Sequence, residues 1–473
     1  MEDMSKTDLE TGGFVRRLGL LDTSFLVIGA VVGSGIYMTP GLIAAGLPSP
    51  GLLLCVWLAG GLITLCGALS FAELGAMFPK AGGQYVYLRE AYGSGAAFVF
   101  GWAFFGFIMC GGLAALAVAF AEFLGSFIPS LGTTHVLFRT EIAGLAYTLT
   151  AGQVVAAGAT LLLTLVNSFG IRSGAVVQNA LTVVRLGTVA ALVVFGVLFG
   201  VKAGGVNFQP LFPPGPGLPA LLGPIGLALV AVFWTYDGWY AVNCTAEEIR
   251  DPGRTIPRGL ALGVMSVTAI YVLINLVYLM ALPLSEISGV VRVGEKAAAA
   301  LFGAGGATLF SALVMVSVFG CLNANILFGP RVFYAMARDG YFFRAMGRLG
   351  RRSRVPVGAL WGQAAWTSAL CLSGKYQSLY EYMVFALLLF FAATGAAVFV
   401  LRRRSPDAPR PYRAWGYPVV PAVFIVMSLA VFVSIVVSQP VKSSAGLGLL
   451  LAALPVYAVW KKRRAPAPAP KEE

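Results

Sequence analysis

The chain has 473 residues, of which 58% are hydrophobic and 11% are charged, with a mean hydropathy of +0.83. Soluble domains carry about 25% charged residues, so this composition excludes a soluble protein and indicates a polytopic membrane protein. The formal net charge of +13 does not indicate nucleic-acid binding, because the basic residues are spread over short loops between apolar segments.

Twelve apolar segments follow a polar tail at residues 1–19, and each is close to or above the length needed to cross a bilayer. They predict an all-α integral membrane protein, and we call them spans 1 to 12. The polar start and the long first segment do not fit a cleavable signal peptide. The spans are 20–53 and 52–77, whose boundary is blurred by two prolines, then 95–128, 152–168, 176–200, 222–248, 258–283, 304–335, 357–373, 378–401, 416–437 and 444–460.

The distribution of Lys and Arg predicts the orientation. With the N-terminus in the cytoplasm, the tails and the loops after even-numbered spans hold 25 of the 33 basic residues, whereas the opposite side holds six. This bias predicts a multi-pass protein of the cell membrane with both termini in the cytoplasm, including the C-terminal tail at 461–473.

Span 1 contains a stretch, residues 27–41, that can open a helix. Its centre, Gly33-Ser34-Gly35, lacks side-chain bulk and tolerates positive φ, so backbone N–H groups can turn toward a ligand. In lipid, such an opening is tolerated only where it lines a cavity inside the protein. We therefore expect a binding site at this break.

Span 6 contains a second interruption at residues 230–239, where Asp237 and Gly238 stand among aromatic residues. A buried acid is costly at this depth and normally faces a cavity or a partner. An acid that only makes structural hydrogen bonds is the alternative interpretation.

The two interruptions are five spans apart. If spans 1–5 (20–201) and spans 6–10 (222–401) are inverted repeats, with spans 11 and 12 (416–460) outside them, the two broken helices meet near the bilayer midplane. Half-helix N-termini then face an anionic group and free carbonyls face an ammonium group. An α-amino acid carries both charges.

Other reactive residues give weaker signals. The six cysteines lie in or at the ends of apolar spans without metal-type spacing, so we expect buried thiols, no disulfides, no metal and no cofactor. His135 lies in an outer loop without a nucleophile nearby.

A membrane enzyme needs a catalytic cluster and a channel needs a polar pore lining, and neither pattern is present. A sensor that does not transport is a further function that the sequence does not exclude. Four charged residues near cytoplasmic helix ends are expected to be solvated, with salt bridges of an inner gate as the alternative: Glu73, Glu247, Glu248 and Arg331.

Five strings resemble the L-type amino acid transporters of the amino acid-polyamine-organocation superfamily, over residues 15 to about 440. This resemblance implies a LeuT-like fold of twelve helices, with a 5+5 inverted repeat and broken helices 1 and 6, and alternating-access transport, often as exchange. The strings are Gly-Ser-Gly-Ile at 33–36, residues 79–93, Tyr-Asp-Gly-Trp at 236–239, residues 247–252 with Ile256-Pro257, and residues 331–340.

The resemblance also implies roles for individual residues. Gly33, Ser34 and Gly35 match the segment whose N–H groups hold the substrate carboxylate, and Val31 matches a carbonyl donor to the ammonium. Carbonyls of the unwound part of helix six complete the ammonium site, and its aromatic residue closes over the substrate from outside. The matching positions here are Trp234, Thr235 and Asp237, with Trp234 as the closing residue.

Arg185 lies about nine residues into span 5, roughly 13 Å deep. Family members commonly have a lysine here that bridges helices 1 and 8, where sodium-coupled relatives hold a cation. Arginine does not release its proton, so the resemblance implies sodium- and proton-independent exchange. Asn323 and Asn325 are candidate hydrogen-bond partners, although hydrogen bonds between helices account for them equally well. Arg185 and Asn323 are predicted coupling residues. Snorkelling of Arg185 to the cytoplasmic surface is the alternative.

These observations predict an exchanger of neutral L-amino acids. The alternatives are a carrier of cationic amino acids or polyamines, which would use Asp237, and a proton-coupled symporter. Mammalian relatives pair with a glycoprotein through a cysteine in the outer loop between spans 3 and 4. Residues 129–151 contain no cysteine, so we expect no disulfide-linked subunit.

Overall fold

The computed structural model describes Phe14, Arg16, Phe208 and residues 18–142, 145–202, 210–212, 217–351, 353–373 and 376–463. Most of both predicted tails, residues 1–13 and 464–473, lies outside this part of the chain. The described residues form helices joined by short turns, which confirms the all-α membrane class. One departure is a hairpin of antiparallel strands, Val136–Ile142 and Leu145–Thr150, in the loop between spans 3 and 4.

Within the described residues, nine helices are long and apolar enough to cross a bilayer alone, and the two halves of span 1 together make a tenth. Spans 6 and 9 correspond to shorter helices, so the count of twelve stays a prediction. Span 1 comprises Leu20–Val31 and Gly35–Gly46. Spans 2 to 5 are Pro50–Met77, Ser94–Phe127, Ala151–Ser168 and Ile171–Lys202; span 6 begins with Leu218–Thr235; spans 7 to 12 are Pro252–Ala281, Val293–Phe328, Val357–Ser373, Tyr376–Arg404, Val419–Ser438 and Pro440–Leu451 with Ala453–Arg463.

Both predicted helix breaks are present. The halves of span 1 meet at an angle of 49°. Span 6 stops at Thr235, turns through residues 236–240 and resumes as the short helix Ala241–Cys244. The second half of span 1 packs on the first half of span 6, and the first half of span 1 packs on Ala241–Cys244. The two broken helices therefore run antiparallel, as an inverted pair requires. The repeat boundaries stay a prediction.

The cysteine prediction is wrong for two residues. Four of the six cysteines are buried, but Cys55 is exposed and Cys66 is partly exposed. Both lie on span 2, which also exposes Leu58 and Leu62. The physical reason is that span 2 presents one face to the bilayer, where a thiol behaves as a small apolar group.

The expectation of a solvated Glu73 is also wrong, because its side chain is only 1% exposed. Its carboxylate accepts hydrogen bonds from Arg402 Nε and Nη2, at 2.9 and 2.6 Å, and from the backbone N–H of Ala414, at 2.7 Å. Arg410 Nε lies 3.6 Å away. The loop after span 10 folds back over the end of span 2, so one carboxylate fastens span 2, span 10 and this loop together.

We predict that Glu73→Gln destabilises the protein by about 3 kcal/mol, because it leaves two arginines without their carboxylate partner. Glu90→Gln is the matched control, since Glu90 pairs with Arg89 at the surface, and it should cost about 0.5 kcal/mol. Unfolding of both variants in mixed micelles measures the difference. Equal stability of the two variants would contradict a fastening role for Glu73.

Candidate functional site

A pocket of about 30 Å³ lies where the two helix breaks meet. All seven residues predicted to bind substrate line it: Val31, Gly33, Ser34, Gly35, Trp234, Thr235 and Asp237. Sequence reasoning did not place the wall from span 3, which includes Gly112 and Leu116, or the contribution of Cys321 from span 8. These positions look like ordinary apolar helix residues, and only the packing of three spans brings them to the pocket.

The break in span 1 leaves backbone donors without acceptors. Residues 32–34 form a bend between the two helices, and in the described part of the chain the N–H groups of Gly33 and Ser34 have no hydrogen-bond acceptor. The N-terminus of the helix that begins at Gly35 therefore presents partial positive charge. This end of the pocket is suited to an anionic group.

Gly33 and Gly35 do not use the positive φ that glycine tolerates, because neither has its φ in the left-handed region. The structure requires glycine here for space. A Cβ on Gly33 would lie 2.8 Å from Cys321 Sγ, and one on Gly35 would lie 2.6 Å from Thr235 Oγ1. The glycines allow spans 1, 6 and 8 to approach closely around the pocket.

The break in span 6 does use a left-handed residue. Gly238 has φ 99°, and a Cβ there would lie 2.8 Å from the carbonyl oxygen of Ala30. Thr235 Oγ1 donates to Ala231 O at 2.8 Å or shares a hydrogen bond with Thr39 Oγ1 at 2.9 Å. Span 6 is therefore held against both halves of span 1.

Tyr271 joins the two breaks and was not found from the sequence. Its hydroxyl lies 2.9 Å from the carbonyl oxygens of both Val31 and Thr235, the two carbonyls that stand at the helix ends. The side chain is fully buried and packs edge-on against Trp57 and Tyr236. One tyrosine in an apolar helix gives no sequence signal, because its importance depends on what lies opposite. A hydroxyl has one proton to donate, so these carbonyls keep acceptor capacity for a cation.

Three residues around the pocket carry buried polar side-chain atoms: Ser34 Oγ, which has no hydrogen-bond partner in the described structure, and Asp237 Oδ1 and Tyr240 Oη, which belong to neighbouring side chains. Buried polar atoms are normally paired, so Ser34 Oγ is suited to bind a polar ligand. The pocket thus combines N–H donors, carbonyl acceptors and a carboxylate. Within the described residues, no group of three or more His, Cys, Asp and Glu side chains could hold a metal ion.

Arg185 is fully buried beside the pocket and does not snorkel to the surface. Its Nη1 donates to the carbonyl oxygen of Gly29 in span 1, and its Nη2 donates to that of Ser317 in span 8 at 2.9 Å. The structure therefore places this cation between spans 1, 5 and 8, as the resemblance implies.

The expected hydrogen bonds from Arg185 to Asn323 and Asn325 are absent from the described contacts. Asn323 faces spans 4 and 5, where it accepts from Asn167 Nδ2 at 2.7 Å and donates to Gln178 Oε1 at 2.9 Å. Asn325 faces the pocket and donates to Ala30 O at 3.3 Å. The two amides point to opposite sides of span 8, so neither reaches the guanidinium.

Contacts close the pocket on both faces. On the predicted cytoplasmic face, Arg331 Nε and Glu248 Oε1 form a buried ion pair at 2.9 Å, which fits the salt-bridge alternative and not the solvated ends that were expected. The chain before span 1 covers this pair, because Leu18 N donates to Glu248 O at 3.0 Å. On the opposite face, Gly289 N donates to Gly41 O at 2.9 Å. The pocket is occluded in this conformation.

Comparison with known proteins agrees with this geometry. The sequence profile of the family described as "Amino acid permease" matches residues 18–459. The "Serine/threonine exchanger SteT" of Bacillus subtilis (strain 168) is 33% identical over 464 residues, covering 96% of this chain and 99% of that protein.

Two mammalian relatives are each 29% identical. They are the "b(0,+)-type amino acid transporter 1" of Mus musculus, which covers 92% of this chain and 85% of its own length, and the "Large neutral amino acids transporter small subunit 2" of Oryctolagus cuniculus, which covers 96% and 83%. With a family match across nearly the whole sequence, this chain belongs to the amino acid permease family.

Proposed function

We propose that this chain exchanges neutral L-amino acids across the cell membrane by alternating access, without coupling to sodium or protons. The observation that carries the proposal is the pocket in which free N–H groups of span 1 stand opposite the carbonyls of Val31 and Thr235. A relative named as a serine/threonine exchanger supports exchange of neutral substrates. The charge bias supports cytoplasmic termini.

The two ends of the pocket bind the two charged groups of an amino acid backbone. The carboxylate binds the N–H groups of Gly33, Ser34 and Gly35, with Ser34 Oγ as a further donor. The ammonium binds the carbonyls at the ends of the helices before each break, where the macrodipole is negative. Because both groups belong to every α-amino acid, this arrangement fixes the backbone and leaves the side chain to spans 3, 6 and 8.

The occluded conformation requires movement for transport. A volume of about 30 Å³ holds about two water molecules, so an amino acid enters only when the half helices separate. Outward opening breaks the contact between Gly289 and Gly41, and inward opening breaks the Arg331–Glu248 pair. Trp234 covers the substrate from the outer side in this scheme.

Arg185 supports ion-independent exchange. It supplies a fixed positive charge to two backbone carbonyls at the junction of spans 1, 5 and 8, and it keeps its proton throughout the cycle. A permanent cation here removes both the need for sodium and the means of carrying a proton.

The direct test is exchange in liposomes that contain the purified chain alone, without an ancillary subunit. We expect uptake of a labelled neutral amino acid only into vesicles preloaded with amino acid, at the same rate with or without sodium and with or without a pH gradient. Uptake that needs an inward proton gradient, or a second protein, would contradict the proposal.

A cationic substrate is the second candidate, because the carboxylate of Asp237 lines the pocket beside Tyr240. The same vesicles distinguish the two candidates when arginine competes with the neutral amino acid. If arginine is the substrate, it competes at low concentration and Asp237→Asn abolishes that competition while neutral exchange persists. Our leading proposal predicts weak competition by arginine.

The close packing of span 1 on span 8 gives a second test. We predict that Gly33→Ala weakens substrate affinity at least tenfold, because the added Cβ meets Cys321 Sγ at 2.8 Å. Cys321→Ala removes that sulfur, so the double variant should recover most of the affinity. Scintillation proximity binding on all three proteins measures this. Failure of the double variant to recover would show that the methyl group acts by another route.

The role of Arg185 gives a third test. We predict that Arg185→Lys keeps exchange at neutral pH but makes it pH-dependent, because a buried lysine can release its proton. Exchange by the unaltered chain should stay flat over the same pH range. A flat profile for the lysine variant would remove the argument that the choice of arginine sets proton independence.

A further inference from the structure

A second cavity, of about 410 Å³, lies apart from the substrate pocket. It is lined by the second half of span 1, the first half of span 6 and the end of span 11. Its lining is apolar except for one amide and includes Leu42, Gly46, Pro224, Leu227, Ala231 and Gln439. Ligand-binding sites usually have volumes of about 300–1,000 Å³, and the volume of this cavity falls in that range.

The cavity opens toward the bilayer. Leu42 and Leu227, at its edge, are 45% and 46% exposed in the folded chain. Both residues lie in membrane-spanning segments, where exposed surface contacts lipid hydrocarbon. The mouth of this cavity therefore faces membrane lipid.

The cavity also has a direction. Ala231 lies one helical turn before Thr235, where span 6 breaks inside the protein. Gly46 ends the second half of span 1, and Gln439 follows the last residue of span 11, so both stand at the membrane surface. Seven residues separate Pro224 from Ala231, which is about 10 Å along the helix. The polar residue is at the shallow end, where a lipid changes from hydrocarbon to ester.

We propose that this cavity binds one acyl chain of a membrane phospholipid, with the methyl end near Ala231 and the ester end near Gly46 and Gln439. A Cβ on Gly46 would meet no atom within 4 Å, so this glycine leaves space at the shallow end. The proposal goes beyond amino acid exchange and does not depend on it.

The position of the cavity links the lipid to the substrate site. Ala231 lines the cavity, and its carbonyl accepts a hydrogen bond from Thr235, which lines the substrate pocket. A bound chain therefore supports, from behind, the turn of span 6 that carries Trp234 and Thr235. Both half helices that move in alternating access contribute to the lipid site.

Photolabelling tests the proposal. The chain is placed in vesicles that contain phosphatidylcholine with a diazirine either near the methyl end or near the ester end of one acyl chain. After irradiation, adducts are located by peptide mass spectrometry. We expect the methyl-end probe to label residues 228–231 and the ester-end probe to label residues 43–46 or 435–439, each several-fold above the exposed face of span 4.

Cavity-filling variants provide the control. Gly46→Leu and, separately, Ala45→Leu should lower this labelling at least fivefold, while both proteins still elute as a single species. Gly158→Leu adds the same side chain in span 4, where a Cβ also meets no atom within 4 Å, and should change nothing. Labelling equal to that of span 4, independent of probe depth, or unchanged by both fillings would show ordinary surrounding lipid only and overturn the proposal.

Discussion

The structure depends on one constraint, which is that two interrupted helices must be held backbone to backbone inside a membrane protein. Interrupted helices expose N–H and C=O groups, and in hydrocarbon such groups are costly unless the protein satisfies them. Here the carbonyls at the two breaks share the hydroxyl of Tyr271, and Gly238 rests on the carbonyl of Ala30. The donors of span 1 stay unpaired, so the fold keeps a polar site for a ligand.

The same need to pair buried polar groups applies to the charges around the site. Arg185 donates from Nη1 and Nη2 to carbonyls of spans 1 and 8. The ion pair of Arg331 with Glu248 joins two segments at the predicted cytoplasmic face. Arg331 is buried with a charged partner and Arg185 with two carbonyl acceptors, because a buried charge without any partner would be far more costly. The partners lie on different spans, so these contacts hold several helices together around the pocket.

Much of this arrangement could be predicted from the sequence. The apolar segments gave the membrane class, and the glycines of span 1 with Asp237 in span 6 indicated where both helices break, so all seven predicted binding residues line one pocket. The need for small residues at Gly33 and Gly35 was predicted, but the residues that crowd them, Cys321 and Thr235, are distant in the sequence and were not.

Residues whose function depends on a partner far along the chain were missed or misread. Tyr271 looks like any tyrosine of an apolar helix, and Glu73 looks like a solvated helix end until the loop after span 10 covers it. Asn323 and Asn325 are two residues apart and therefore face different sides of span 8, which a sequence-level pairing with Arg185 did not take into account.

The central claim is that the paired breaks recognise the two charges of an amino acid backbone. Calorimetric binding to the purified chain tests it most directly, with a neutral amino acid compared with the amine that lacks its carboxylate and with the hydroxy acid that lacks its ammonium. We predict binding of the amino acid and a loss of at least a hundredfold in affinity for each analogue. Comparable affinity for either analogue would contradict the account.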